Sequence, residues 1–362
     1  MNDDPSHCSV GFMWDPKLET FDFGARHPVR VGRFQMVHDF LLESGILDTS
    51  PIEIINPEPV SDELLRKAHS KDYIQKVTEI STTGKGDIDI DTPGFVGILE
   101  NSLLASGTII SGIRAMHNRR IDHFYSPTGG FHHAFYDHGG GFCIFNDIAM
   151  AVILLKELGY ERVLIADFDV HHGNGTQDYF YNDSAVMTIS FHEDPEWMYP
   201  HDGFVEDIGS DSGRGYNVNM HFPMDAGDDV YRYAFDELVP PLVHFFKPDF
   251  ILLLPSFDAH YRDPLAHLNL TFKTIHYVAE WFHEFSHRNC NGCLGVVSGG
   301  GYNPEVFKTG AKLIISLLSG LHMEIPDEEP PFRDDEEIWD ITRENVKRVK
   351  DCVFPELSLD YD

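Results

Sequence analysis

Apolar residues along this 362-residue chain fall into short continuous runs, with stretches of helical spacing between them. Residues 9–14 read as a first strand. In 33–44, Phe34, Val37, Phe40 and Leu41 share one helix face. A second long helix is expected over 98–116, a short strand over His123–Ser126, and a helix over 146–158 with Asn146 as its cap. Strands follow at 162–166 and 186–191, a helix at 230–245, a strand at Phe250–Leu254 and a helix at 271–287. The series closes with a strand at 294–298 and helices at Pro304–Leu318 and about 338–350. Uninterrupted apolar strands such as Phe250–Leu254 suit a sheet covered on both faces. Strands alternating with helices predict a mainly parallel α/β sheet. No internal repeat or long linker is visible, so one domain is expected over 1–362, with an acidic, Pro-rich surface excursion at about 327–337.

Charge narrows the partners. The chain carries 59 Asp plus Glu against 27 Lys plus Arg, a formal net charge of −32. Phosphate binding needs clustered cations, so direct nucleic-acid binding is not expected. The acidic surface suits basic ligands such as lysine-rich segments or polyamines, or simply solubility and adaptation to salt. The five cysteines form no disulfide framework, which points to a reducing cytoplasm. Cys290 and Cys293 make a lone CxxC. A zinc site would need further ligands, and a redox site would need a helix N-terminus, so the pair reads as a plain loop. Residues 1–7 are polar and show no signal peptide, and no apolar segment is long enough to span a membrane. A homo-oligomer is compatible with the sequence, which sets no oligomeric state.

The candidate chemistry lies after the strands, where open α/β sheets bind ligands. Polar, Gly-rich clusters follow four of them: Gly129-Gly-Phe-His132-His133, Asp167-Phe-Asp169-Val-His171-His-Gly-Asn174-Gly, Ser256-Phe-Asp258-Ala-His260, and Gly299-Gly-Gly-Tyr302. These should converge on one pocket. Asp167, Asp169 and His171 alternate, so in extended chain they share a face. Asp258 comes from a neighbouring strand end. One imidazole and two carboxylates with no thiolate fit a catalytic Zn2+ with open positions, and tolerate Fe2+ or Co2+.

These motifs, with Gly140-Gly141-Phe142-Cys143-Ile-Phe-Asn146 and Asp263-Pro264-Leu265, resemble the histone deacetylase superfamily over about residues 10–318. The form HHGNGTQ with FDAHxxDPLA is closer to the class II and bacterial branches. The resemblance implies a three-layer α/β/α arginase/deacetylase fold with a central sheet of about eight strands. It implies zinc on Asp169, His171 and Asp258, a catalytic pair His132 and His133, and Tyr302 polarising the substrate carbonyl, with Asp167 supporting His132. It further implies structural K+ at Asp167, Asp169, His171, Ser190 and Phe191, and a second such site at Phe180, Asp183, Val186 and Tyr216. Substrate would be held by Asp91, Gly141, Phe142, Tyr199, Leu265 and Gly300, and Arg33 resembles the arginine of an inner cavity, with a structural salt bridge as the competing role.

Amide hydrolysis needs an activated water, a polarised carbonyl and a proton for the leaving amine. Zinc lowers the pKa of water from 15.7 towards roughly 7 and polarises the carbonyl. His133 would then move the proton from water to amine. The family's class I pattern has Asp where this chain has Asn174. A neutral amide cannot stabilise an imidazolium as a carboxylate does, so His133 is expected to rest neutral. The expected substrates are acetylated lysine side chains of proteins or peptides. Acetylated polyamines are the alternative, disfavoured because one polyamine-specific branch carries Glu near the Leu265 position. An arginase-like ureohydrolase would leave Tyr302 without a task. A silent acyl-lysine-binding module would be expected to lack His133, a metal ligand or Tyr302.

Overall fold

The computed structural model describes residues 8–360; the segment 1–7, read above as lacking a signal peptide, lies outside them. The chain opens with β1 (Val10–Met13), α1 (Arg33–Glu43), β2 (Ile52–Ile55), α2 (Asp62–Ala68) and α3 (Lys71–Thr83). A two-stranded hairpin, β3 (Asp87–Asp89) and β4 (Thr92–Pro93), leads to α4 (Ile98–His117). Next come β5 (His123–Ser126), α5 (Asp147–Glu157), β6 (Val163–Asp167), α6 (Asn174–Phe180), β7 (Val186–Glu193) and β8 (Asn217–Phe222). The last part runs α7 (Asp228–Phe246), β9 (Phe250–Leu254), α8 (Phe272–Asn289), β10 (Leu294–Val297), α9 (Pro304–Leu318) and α10 (Glu336–Val353).

Eight strands form one sheet in the order β2-β1-β5-β10-β9-β6-β7-β8, every pair parallel. Both faces are covered, which explains the uninterrupted apolar strands. Alternate residues serve opposite layers. Leu164 and Ala166 of β6 and Ile251 and Leu253 of β9 pack with α1 and α7–α10. Val163, Ile165, Phe250, Leu252 and Leu254 pack with α2–α5. Asn146 caps α5 as expected, its Oδ1 accepting the Ala149 N–H at 2.8 Å. Thr271 and Asn303 cap α8 and α9. The edge strand β8 packs against α10, and Asn345 donates to its His221 carbonyl at 3.0 Å. Among the described residues, no helix is long and apolar enough to cross a membrane.

The elements that the hydrophobic pattern did not announce are β2, α2, α3, α6, β8 and the hairpin. β8 reads NVNMHF, polar at alternate positions, yet all of it is buried. Asn217 and Asn219 both donate to Gln177 Oε1, at 2.6 and 2.8 Å, so polar residues satisfy one another beneath the surface.

Candidate active site

Strands β5, β10, β9 and β6 lie side by side, and each of the four clusters follows one of them. Parallel pairing therefore brings all four loops to one end of the sheet. After β6 the alternation continues past the last paired residue. Phe168 and Val170 turn into the core, while Asp167, Asp169 and His171 turn the other way.

Asp167 parts from the other two. Its Oδ2 accepts from His132 Nδ1 at 2.7 Å and its Oδ1 from the Asp169 N–H at 3.1 Å. Ligand atoms of Asp169, His171 and Asp258 lie within 4.8 Å of one another. His171 Nδ1 is 3.1 Å from Asp169 Oδ1 and 3.3 Å from Asp258 Oδ2. Asp258 Oδ2 is buried and has no hydrogen bond of good geometry. A Cβ on Gly300 would stand 1.8 Å from that oxygen, so only glycine leaves room there. Two buried carboxylates and an imidazole around one point call for a positive charge. Burial pushes the His171 pKa down, but the neighbouring carboxylates of Asp169 and Asp258 outweigh it and hold it at about 10. A proton on His171 thus supplies the charge that a cation would, and the donor set fits a single divalent metal ion.

The remaining carboxylate oxygens are tied down. Ser256 Oγ lies 2.8 Å from both Asp169 Oδ2 and Asp258 Oδ1. The Gly300 N–H reaches Asp169 Oδ2 at 2.7 Å, and the Val170 N–H reaches Asp258 Oδ1 at 3.1 Å. Such outer hydrogen bonds orient ligands. The role of Ser256 was not foreseen, although it stands two residues before Asp258.

The tandem histidines meet at their Nε2 atoms, 3.1 Å apart. Their far nitrogens have different supports: His132 donates to Asp167, and His133 donates to Asn174 Oδ1 at 2.9 Å. Burial opposes charge on both. For His132, Asp167 and Asp169 overcome it and raise the pKa to about 9. For His133, burial joins repulsion from His132 and His171 and drives the pKa well below the ordinary value. The two rings are thus pushed in opposite directions, His132 towards the cation and His133 towards the neutral form. Asp147, also unforeseen, holds the loop before them. Its carboxylate accepts the Gly130 and Phe131 N–H groups at 3.0 and 2.7 Å.

One cavity is lined by Asp169 and His171 of this cluster together with Tyr302, Phe142 and Gly141 and with the apolar residues Leu18, Phe21 and Ala105. Phe142 has φ +68°, a costly setting for a residue with a side chain. It turns the ring to within 5.9 Å of Tyr302. The Asp91–Thr92 turn holds this shape: Asp91 Oδ1 accepts the Gly141 N–H at 3.1 Å and Thr92 Oγ1 the Phe142 N–H at 3.0 Å. Asp91 itself does not line this cavity but faces an adjoining surface hollow beside Phe142. Tyr199 packs edge-on to His133 with ring centres 5.0 Å apart. Tyr302 is positioned by Asp263, which accepts its N–H at 2.6 Å.

One expectation needs correction, and the choice left open for Arg33 narrows to the cavity. Leu265 does not line this cavity; it is half-buried in the loop after β9, its N–H bound to Asp263 Oδ1. Arg33 makes no ion pair among the described residues and instead stacks on Phe307, 4.0 Å from the ring centre, while lining the cavity. At the first expected monovalent-cation site, Asp167 and Ser190 are register partners on β6 and β7, but the Ser190 hydroxyl is engaged by His192 at 2.9 Å. At the second, Phe180, Asp183 and Val186 share a tight turn, and the Tyr216 carbonyl accepts from Thr188 on the adjoining strand.

Comparison with known proteins agrees with this geometry. The histone deacetylase domain family matches residues 27–318. A probable deacetylase of Archaeoglobus fulgidus is 36% identical over 82% of this chain and 82% of its own. The acetoin utilization protein AcuC of Bacillus subtilis is 34% identical, over 81% and 77%. A histone deacetylase-like amidohydrolase of Pseudomonas aeruginosa is 34% identical, over 79% and 75%. Among solved structures, the HDA15 HD domain superposes with a TM-score of 0.84 at 27% identity, covering 97% of this chain and 96% of that one. With the family's sheet, its motifs and its cluster of side chains all in place, this chain belongs to the histone deacetylase family of hydrolases.

Proposed function

We propose that the chain is a zinc-dependent deacetylase that hydrolyses the amide of N-epsilon-acetyl-lysine in proteins or peptides and releases acetate. The observation that carries this reading is the convergence of three groups at one cavity: the Asp169–His171–Asp258 cluster, the split histidine pair and Tyr302. Zinc held by that cluster would polarise the acetyl carbonyl and make water acidic enough to be deprotonated near neutral pH.

The protein's own residues do the rest. Neutral His133 takes a proton from the attacking water and returns it to the amine nitrogen as the C–N bond breaks. His132, kept cationic by Asp167, favours the negative charge growing on the carbonyl oxygen. The Tyr302 hydroxyl donates to that oxygen. Phe142, with Tyr199 packed beside His133, would guide the lysyl methylenes, and Asp91, which holds the Gly141 N–H, would accept from the substrate backbone. With Leu265 out of the cavity, the preference for a peptide rests on Asp91.

Acidity favours one second reading. Asp89 and Asp91 stand on the hairpin beside Phe142 in a chain of charge −32. An acetylated polyamine is a cation that suits such a surface. Acetate release from an acetyl-lysine peptide and an acetylpolyamine, run before chelation, after it and with zinc restored, decides. Chelator-sensitive peptide turnover restored by zinc supports the deacetylase. Polyamine preference transfers the function to small-molecule hydrolysis, and metal-bound protein inert to both would overturn both readings.

A further inference from the structure

At the opposite end of the sheet, where β1, β5 and β10 begin, Cys8, His123, His283 and His287 converge with ligand atoms within 4.8 Å of one another. The Nε2 atoms of His123 and His287 are 3.0 Å apart, and each is 3.2 Å from that of His283. Cys8 Sγ is 3.4 Å from His287 Nε2. The rings meet at 69–86°, each presenting an edge to the centre. Nothing in the hydrolytic reaction uses these groups.

Hydrogen bonding among the imidazoles cannot account for this triangle. Each Nε2 carries either a hydrogen or a lone pair, and any assignment of two states to three mutual neighbours leaves one pair alike. That pair sets N–H against N–H or lone pair against lone pair. A cation at the centre removes the conflict, because every nitrogen then directs its lone pair inward. The spacing agrees. Tetrahedral zinc with Zn–N of about 2.0–2.1 Å and Zn–S of about 2.3 Å separates nitrogens by about 3.3–3.4 Å and sulfur from nitrogen by about 3.5 Å. A slight expansion of the observed triangle suffices.

The surroundings are built to match. His123 Nδ1 faces the Leu294 carbonyl at 3.3 Å, and donation there leaves the Nε2 lone pair free to point at the centre. His283 and His287 are one helical turn apart on α8, so they share a face. Gly292 lies over the rings: a Cβ there would meet His287 Cε1 at 3.3 Å. The Cys290–Cys293 turn thus acts as a lid over the cluster, while its own thiols stay outside it. Cys8, His123 and His283 are buried and His287 is half-buried, so the set is largely withdrawn from solvent.

The geometry points to a second, structural zinc site of one cysteine thiolate and three histidines, which ties the starts of β1 and β5 to the end of α8. Its thiolate separates it from the sulfur-free catalytic cluster. Zinc analysis of the purified protein should give two ions per chain, and D258A and C8S should each lose one. After exchange into cobalt, wild type and D258A should show a thiolate-to-cobalt charge-transfer band, and folded C8S should not. A folded, cobalt-loaded wild type without that band would overturn the assignment even if C8S failed to fold. So would a D258A protein that retains no metal. Neither result depends on which substrate the active site accepts.

Discussion

At the C-terminal end of the sheet each histidine of the pair leans on an oxygen, and the two oxygens differ in charge. Against burial, Asp167 and Asp169 raise the His132 pKa to about 9, while burial and repulsion from His132 and His171 lower that of His133, which the neutral amide of Asn174 offsets only in part. At the N-terminal end the imidazoles lean mainly on one another. Burial and then mutual repulsion depress the His123 pKa well below its ordinary value, and burial followed by repulsion from His287 brings His283 to about 4. Buried histidines thus become a proton-handling device or a set of neutral donors according to the charges around them. The first end is open through a cavity and poised to react. The second is largely closed.

The largest break in that contrast is expected from Asp258→Asn. It removes a ligand carboxylate from the reactive end and should abolish acetate release while the fold, followed by circular dichroism, persists. Tyr302→Phe keeps the cavity wall but deletes the hydroxyl. Turnover should fall roughly 100- to 1000-fold with substrate affinity little changed, read as kcat against KM.

Asn174→Asp tests the electrostatic half of the comparison. A carboxylate at His133 Nδ1 favours the imidazolium, so its pKa rises. Because the base works only when neutral, the acidic limb of the pH–rate profile should move to higher pH. An unmoved limb would show that Asn174 does not govern His133. At the closed end, Cys8→Ser should leave turnover per folded molecule intact and lower the melting temperature, at roughly 2 °C for each kcal/mol lost in a chain of this size. The smallest effect concerns neither end. A formal charge of −32 repels itself, so added salt should raise the melting temperature through screening. A flat response would argue that the charge is offset locally, as between Arg66 and Asp62 or Arg288 and Glu284.

The reactive end was legible because its residues come in runs beside strand ends. The HH, DxDxH and GGGY segments each put functional groups at adjacent or alternate positions, where strand geometry dictates what they face. What escaped notice were single residues acting at a distance: Ser256 between two carboxylates, Asp147 under the histidine loop and Asp263 under Tyr302. Leu265 misled because nearness in sequence to a motif does not fix the direction of a side chain in a loop. The closed end left hardly any trace. Cys8, His123 and the α8 pair are far apart in the chain, and only register brings them together: Val10 pairs with His123, which also pairs with Leu294. The CxxC was read as a plain loop, and its cysteines are indeed not among the converging groups. β8 stayed hidden because its buried face is polar, and α2 and α3 despite serine caps at Ser61 and Ser70.

The contact between α10 and β8 bears on how the molecule behaves in a crowded solution. An open sheet has two borders, and each offers a row of backbone groups to which a stranger's strand could add. On the β8 side, α10 lies alongside and Asn345 occupies the His221 carbonyl. On the other side, β2 is four residues long, and its exposed Glu53 is paired with Arg120. One border is barred by a shutter and the other by brevity and charge. Trimming the chain before α10 would therefore unbar the longer border and uncover the apolar residues that α10 buries, so self-association is the expected result, read by light scattering.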